Sequence, residues 1–178
     1  MKQLLLILLT VLFFTNANPL QAQDYASDTE TIESTMTAIL EVISGPAGRE
    51  MDWARWRNLF WGDVPFHIRS KGQDGKLRIV ETSSEGYVKN IGPRLAQRPF
   101  YEIYSNLKID QYGDIAHVFM VYESKETPDA KPFDRGMNSF QLMYDEGRWW
   151  IVGLMWQAES SGVPIPKKYL KKGKRKGG

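Results

Sequence analysis

The stretch from Tyr101 to Trp156 constrains the fold most, because it reads as strand after strand joined by turns, with no helical repeat between them. Tyr101, Ile103, Leu107 and Ile109 alternate with Glu102, Asn106, Lys108 and Asp110, the period-two pattern of a strand with one face buried. The apolar set is predicted to face the core and Glu102 the solvent. Tyr112-Gly113-Asp114 turns the chain, and IAHVFMVY (115–122) follows, apolar on both faces and therefore predicted to lie inside a sheet covered on both sides. After the loop TPDAKPFD, the segments MNSFQLMY and RWWIVGLMW flank Asp145-Glu146-Gly147, a tight hairpin signal. Strands joined this way pair antiparallel, and the apolar face they build has to be covered by other elements.

The covering elements lie upstream. Ser27 and Glu30 have capping-box spacing, and Ile32, Met36, Ile39, Leu40 and Ile43 recur at helical intervals, so a first amphipathic helix is predicted up to Gly45-Pro46. Asp52 is a good cap for a second helix carrying Trp53, Trp56, Leu59 and Phe60 along one side. FHIRS and LRIVETS about Gln73-Asp74-Gly75 read as a β-hairpin. Ser83-Ser84-Glu85 starts a short third helix, expected to break at Gly92-Pro93. The predicted fold class is α+β: three N-terminal helices packed in the concavity of a strongly curved, mainly antiparallel sheet. Six Trp, eight Tyr and eight Phe in 178 residues provide apolar bulk for one such core.

Both chain ends read differently. Residues 1–14, MKQLLLILLTVLFF, carry one charge and then an apolar run, and small residues follow, so residues 1–22 are read as a signal peptide cut after Ala22, with Ala17 as the other candidate. Export to the periplasm or the medium is the corresponding expectation. Residues 167–178, KKYLKKGKRKGG, hold seven basic residues and no acidic one, and are read as a disordered basic tail able to touch anionic surfaces. Between the ends, 15 basic residues stand against 21 acidic ones, so residues 23–166 carry a net −6. Basic charge confined to a tail tells against nucleic-acid binding.

Asp52-Trp53 with Leu59-Phe60, YGDIA (112–116), RGMNSFQL (135–142), RWWIV (148–152) and Trp156-Gln157 together resemble exported bacterial members of the nuclear transport factor 2-like superfamily. This is the cystatin-like cone that also houses ketosteroid isomerase, scytalone dehydratase and polyketide cyclases. The resemblance spans residues 28–160 and implies a cone with a pocket; it implies no single reaction, since the superfamily mixes enzymes with binding and dimerisation modules. No local motif of its enzyme branches is present.

The candidate site residues come from the last strands and the second helix. His117, alone among apolar neighbours in a predicted core strand, is the candidate general acid–base, with a core histidine satisfied by one hydrogen bond as the alternative. Expected pairing of Tyr144 with Arg148 puts Asn138, Phe140, Leu142, Trp150, Val152, Leu154 and Trp156 on one face. The opposite face then holds Arg135, Met137, Ser139, Gln141, Met143, Trp149, Ile151, Met155 and Gln157. A one-residue bulge would exchange them, so which face lines the pocket stays open. On the first assignment Asn138 and Trp156 line it together with Trp53 and Trp56; on the second Arg135, Gln141 and Gln157 do. Arg135 is then either a clamp for an anion or the partner of Asp134 or Glu159. The outer face, apolar in part, has to be covered by a second subunit or a loop, and a homodimer through this outer face is expected.

The absence of cysteine excludes thiolate zinc sites, iron–sulfur clusters and thiol nucleophiles. No phosphate loop, dinucleotide glycine fingerprint, G-x-S-x-G elbow or H-E-x-x-H stands in the chain, and no cofactor or metal is expected. Three functions remain. The first is a non-catalytic binding module for a partly apolar small organic molecule. The second is an isomerase, dehydratase or cyclase using His117 with Asn138 or Gln141, and the third an accessory or dimerisation module without ligand.

Overall fold

A computed structural model describes residues 25–170. The signal peptide expected over residues 1–22 and most of the basic tail lie outside them. Helix α1 (Ile32–Ile43) is started by Thr31, whose side chain accepts from Ser34 N while Ser34 Oγ accepts from Thr31 N. The capping box is therefore four residues later than Ser27 and Glu30 suggested. Ser27 belongs instead to a 3-10 turn, Ala26–Thr29. Asp52 caps α2 (Trp53–Asn58) by accepting from Arg55 N, and Arg55 in turn binds Asp28 through two hydrogen bonds, tying that turn to the helix.

Strands β1 (Pro65–Lys71) and β2 (Leu77–Ser83) form the expected hairpin. Ser83 caps α3 (Ser84–Asn90), and α4 (Gly92–Ala96) follows at once. Gly92-Pro93 therefore begins a helix where a break was expected; proline suits a first turn, whose N–H has no partner to lose. Gly92 is also where Trp53 comes closest, since a Cβ there would stand 2.5 Å from the indole ring.

Strands β3 (Tyr101–Tyr112), β4 (Ile115–Lys125), β5 (Asp134–Asp145) and β6 (Arg148–Ala158) follow as an antiparallel run. The sheet order is β2-β1-β6-β5-β4-β3, with β1 parallel to β6, and the curved sheet stays open at both edges. Its concave face carries Ala116, Val118, Met120, Phe140, Leu142 and Ile151, all buried against Met36, Ile39 and Leu40 of α1 and Trp56, Leu59 and Phe60 of α2 and its end. This is the expected α+β layout.

Two bulges decide which side chains face inward. Between Tyr104 and Asn106 the β3–β4 register shifts by one, so Glu102 and Tyr104 lie on the same face as Leu107 and Ile109, while Ile103 is turned out and 42% exposed. The single alternation expected over the whole strand is thereby reversed in its first half. The second shift lies between Gln141 and Leu142, opposite Val152. The turn before it holds Glu146 and Gly147 at positive φ, the two-residue hairpin geometry, so Tyr144 pairs with Trp149 instead of Arg148. Trp149 and Ile151 therefore face the core, and Trp150 does not. It lies outside, under the Arg148 guanidinium and against the Trp61 ring.

The last described residues return over the convex face. Lys167–Leu170 form a helical turn, α5, with the Tyr169 ring 5.5 Å from Phe119, and Ile165 is buried. Four residues of the tail expected to be disordered thus have structure, because Tyr169 finds an aromatic partner on β4. Met143, Met155, Ile115 and Tyr112 of the sheet remain exposed.

Candidate functional site

Between α1, α2, α3 and α4 and the concave face lies a cavity of about 270 Å³. Rings and aliphatic groups make most of its wall: Trp56, Tyr87, Phe100 and Trp156, with Ile39 and Ile43 from α1. Trp56 is held by its Nε1–H, which donates to the Ser84 carbonyl at 3.1 Å, and by stacking on Tyr87 with ring centres 4.8 Å apart. Phe133 and Arg98 complete the wall, the guanidinium lying 5.8 Å from the Phe133 ring centre.

The polar part of the wall is Glu102, Ser124, Asp134 and Asn138, with the Tyr87 and Tyr122 hydroxyls. The bulge in β3 turns Glu102 inward, and the end of α1 fixes its backbone: Glu102 N donates to Ser44 Oγ at 2.8 Å, while Gly45 and Phe100 exchange main-chain bonds. Ser124 Oγ donates to one carboxyl oxygen at 2.8 Å. Gly136 leaves space beside these groups, since a Cβ there would stand 2.4 Å from the Gln157 carbonyl and 2.7 Å from the Tyr122 hydroxyl.

Burial pushes the Glu102 carboxyl up to about 7; the Ser124 hydrogen bond works against the rise, and the Asp134 charge adds to it. Glu102 therefore changes charge near neutrality. Burial also raises the Tyr87 hydroxyl, with Glu102 as the next cause, and the Tyr122 hydroxyl, with Asp134 and Glu102 behind it. Both phenols stay protonated and available as donors.

The sequence-derived candidates divide by face. Trp56, Asn138 and Trp156 line the cavity; Trp53 packs behind it, edge-on to Trp56 at 6.1 Å. Arg135, Gln141 and Gln157 lie on the convex face, where Arg135 pairs with Glu159 and Gln157 donates to Ser161 Oγ. His117 is on that face too. Its Nε2 lies 2.9 Å from Ser139 Oγ, in a shallow surface hollow shared with Gln141 and Asp110. It cannot move a proton inside the cone, because odd-numbered residues of β4 point away from the cavity that Tyr122 and Ser124 line. Glu102, the group that does face the cavity, was hidden by the bulge. The one sequence signal for it is Tyr104, a large ring on what would otherwise be the polar face of the strand.

Among the described residues no cluster of three or more His, Asp or Glu is arranged to hold a metal ion. No described helix is long and apolar enough to cross a membrane.

Solved structures superpose on this arrangement of helices and sheet. A protein of unknown function with a cystatin-like fold from Nostoc punctiforme superposes with a TM-score of 0.55 at 13% identity, over 71% of this chain and 87% of that one. The chain has the nuclear transport factor 2-like cone fold. A nuclear transport factor 2-like protein of unknown function from Pseudomonas putida matches at TM-score 0.54 and 11% identity, over 79% of this chain and 89% of its own. A proposed dehydratase of the same fold family from Streptomyces avermitilis matches at 0.52 and 12%, over 73% and 94%. No family model and no curated protein matches the chain.

Proposed function

We propose that the cone is a binding chamber for one small, largely apolar organic molecule, anchored at Glu102 and Asn138. The observation that carries this reading is the cavity of about 270 Å³ itself, walled by rings and ending on a few convergent polar groups. At about 30 Å³ per water it has room for roughly nine, the bulk of a molecule with one ring and a short side chain. Such a wall contributes affinity through apolar burial, and the polar groups orient the guest.

The apolar run at the N-terminus supports an address outside the cytoplasm. Exposed Met143 and Met155 on the convex face support pairing of two copies there, which light scattering on a sizing column would read.

The chamber is tested by titrating the protein with propylbenzene while recording amide spectra by NMR. Saturable shifts at Trp56, Ser124 and Asn138 are the expected result. His117→Ala, on the opposite face, should leave the affinity within about twofold. Shifts confined to the convex face, or none that saturate, would overturn the reading.

A further inference from the structure

The geometry points to a cationic guest: a protonated amine on an apolar body, its ammonium group set between Glu102, Asp134 and the rings of Trp56 and Tyr87. This inference rests on the chamber reading above and narrows it to a substrate class.

Two acidic side chains open on the cavity, and among the described residues neither forms an ion pair. Glu102 receives Ser124 Oγ on one oxygen; the other takes no hydrogen bond from a described residue. A carboxylate in an apolar wall is costly unless a cation meets it. An ammonium ion supplies that cation together with N–H donors for the open oxygen. The aromatic wall suits the same guest, since a cation is attracted to the face of an indole or phenol; Trp56 and Tyr87 cover one face of each other by stacking, which leaves the outer face of Tyr87, whose hydroxyl feels Glu102, for the cation. The net −6 of residues 23–166 favours the approach of cations.

Every charged group facing Glu102 bears on the pH dependence. Asp134 from β5 adds to the attraction for a cation, while Ser124 and Tyr122 from β4 and Tyr87 from α3 are neutral donors. Arg98 is exposed and lies over Phe133, whereas Arg49 has both terminal nitrogens buried without a hydrogen-bond partner among the described residues and is close enough to Tyr87 to pull the hydroxyl's value down. Both arginines oppose a cation, Arg98 from the cavity wall and Arg49 from beyond it, and the two carboxyls of Glu102 and Asp134 stand against them. Below neutrality Glu102 holds a proton that an ammonium ion has to displace, so amine affinity rises with pH and levels off above about 7.

The test is calorimetric titration with three probes of matched shape: 2-phenylethylamine, 2-phenylethanol and 3-phenylpropanoate. The amine should bind about tenfold more tightly than the alcohol at pH 8, as a desolvated ion pair with ring contacts requires. It should bind about tenfold more weakly at pH 6 than at pH 8, the ratio of ionised Glu102 on the two sides of about 7. Glu102→Gln should remove both the preference and the pH dependence. If the alcohol binds as tightly as the amine, or the propanoate more tightly, the cationic class is wrong while the chamber stands. If propylbenzene and all three probes fail to bind, the chamber reading itself falls.

Discussion

Glu102→Gln should make the protein more stable at pH 8 and scarcely more stable at pH 4. In the fold the carboxyl titrates at about 7, against an ordinary value of 4.5 in the unfolded chain. An acid whose folded value is raised is held protonated by the fold while the unfolded chain ionises, so its contribution to stability is intact below about 4.5 and is lost progressively as pH rises toward 7. At about 1.4 kcal/mol for each pH unit between the two values, ionising the buried group costs about 3 kcal/mol above pH 7. Glutamine keeps the shape and an acceptor for Ser124 Oγ but carries no charge, so the variant should recover most of that amount at pH 8. For a domain of this size this is roughly 6–12 °C in melting temperature. The assay is a pair of thermal melts, wild type and variant, at half-unit steps from pH 4 to pH 8.5. The difference between the two curves isolates Glu102 from every other titrating group. Parallel curves, or a variant less stable at pH 8 than at pH 5 relative to wild type, would refute the placement of an ionisable Glu102 in a poorly solvated wall.

Two further substitutions probe the frame around the cone. Arg55→Met removes the partner that Asp28 meets through two hydrogen bonds at 2.7 and 2.8 Å and leaves that mostly buried carboxylate alone, so chemical denaturation should show a loss of about 3 kcal/mol. Gly136→Ala places a methyl group against the Gln157 carbonyl and the Ala158 Cα, both in the next strand, and should cost about 3 kcal/mol by the same measurement. A stable Gly136→Ala protein would mean that β5 and β6 do not approach as described.

Much of the architecture is legible in local patterns. The helical spacing of Ile32, Met36, Ile39 and Ile43 is α1, Asp52 caps α2, Asp74-Gly75 closes the first hairpin, and the strand run from Tyr101 builds four of the sheet's six strands. Each of these signals acts over a few residues: a cap bonds within its own turn, and a glycine turn needs only its own φ. The misplaced cap at Ser27 and the expected break at Gly92-Pro93 have the same origin. Both motifs are genuine turn formers, and neighbouring contacts determine which of two adjacent turns becomes the helix end.

The site was legible only in part. Alternation and helical spacing put Asn138 and Trp156 with Trp56 on only one of two face assignments, and the cavity is lined by these three. Glu102 faces the cavity and His117 faces away from it, because alternation gives the two faces of a strand without saying which is inside, and one extra residue in a strand inverts the answer beyond it. From sequence alone came the kinds of elements, their order, the turns and the residues able to form a core. Only the tertiary structure decided that Glu102 looks into the cone and His117 away from it, because the bulges at Ser105 and Val152 depend on which neighbouring strands each segment pairs with, and that pairing exists only once the sheet has formed.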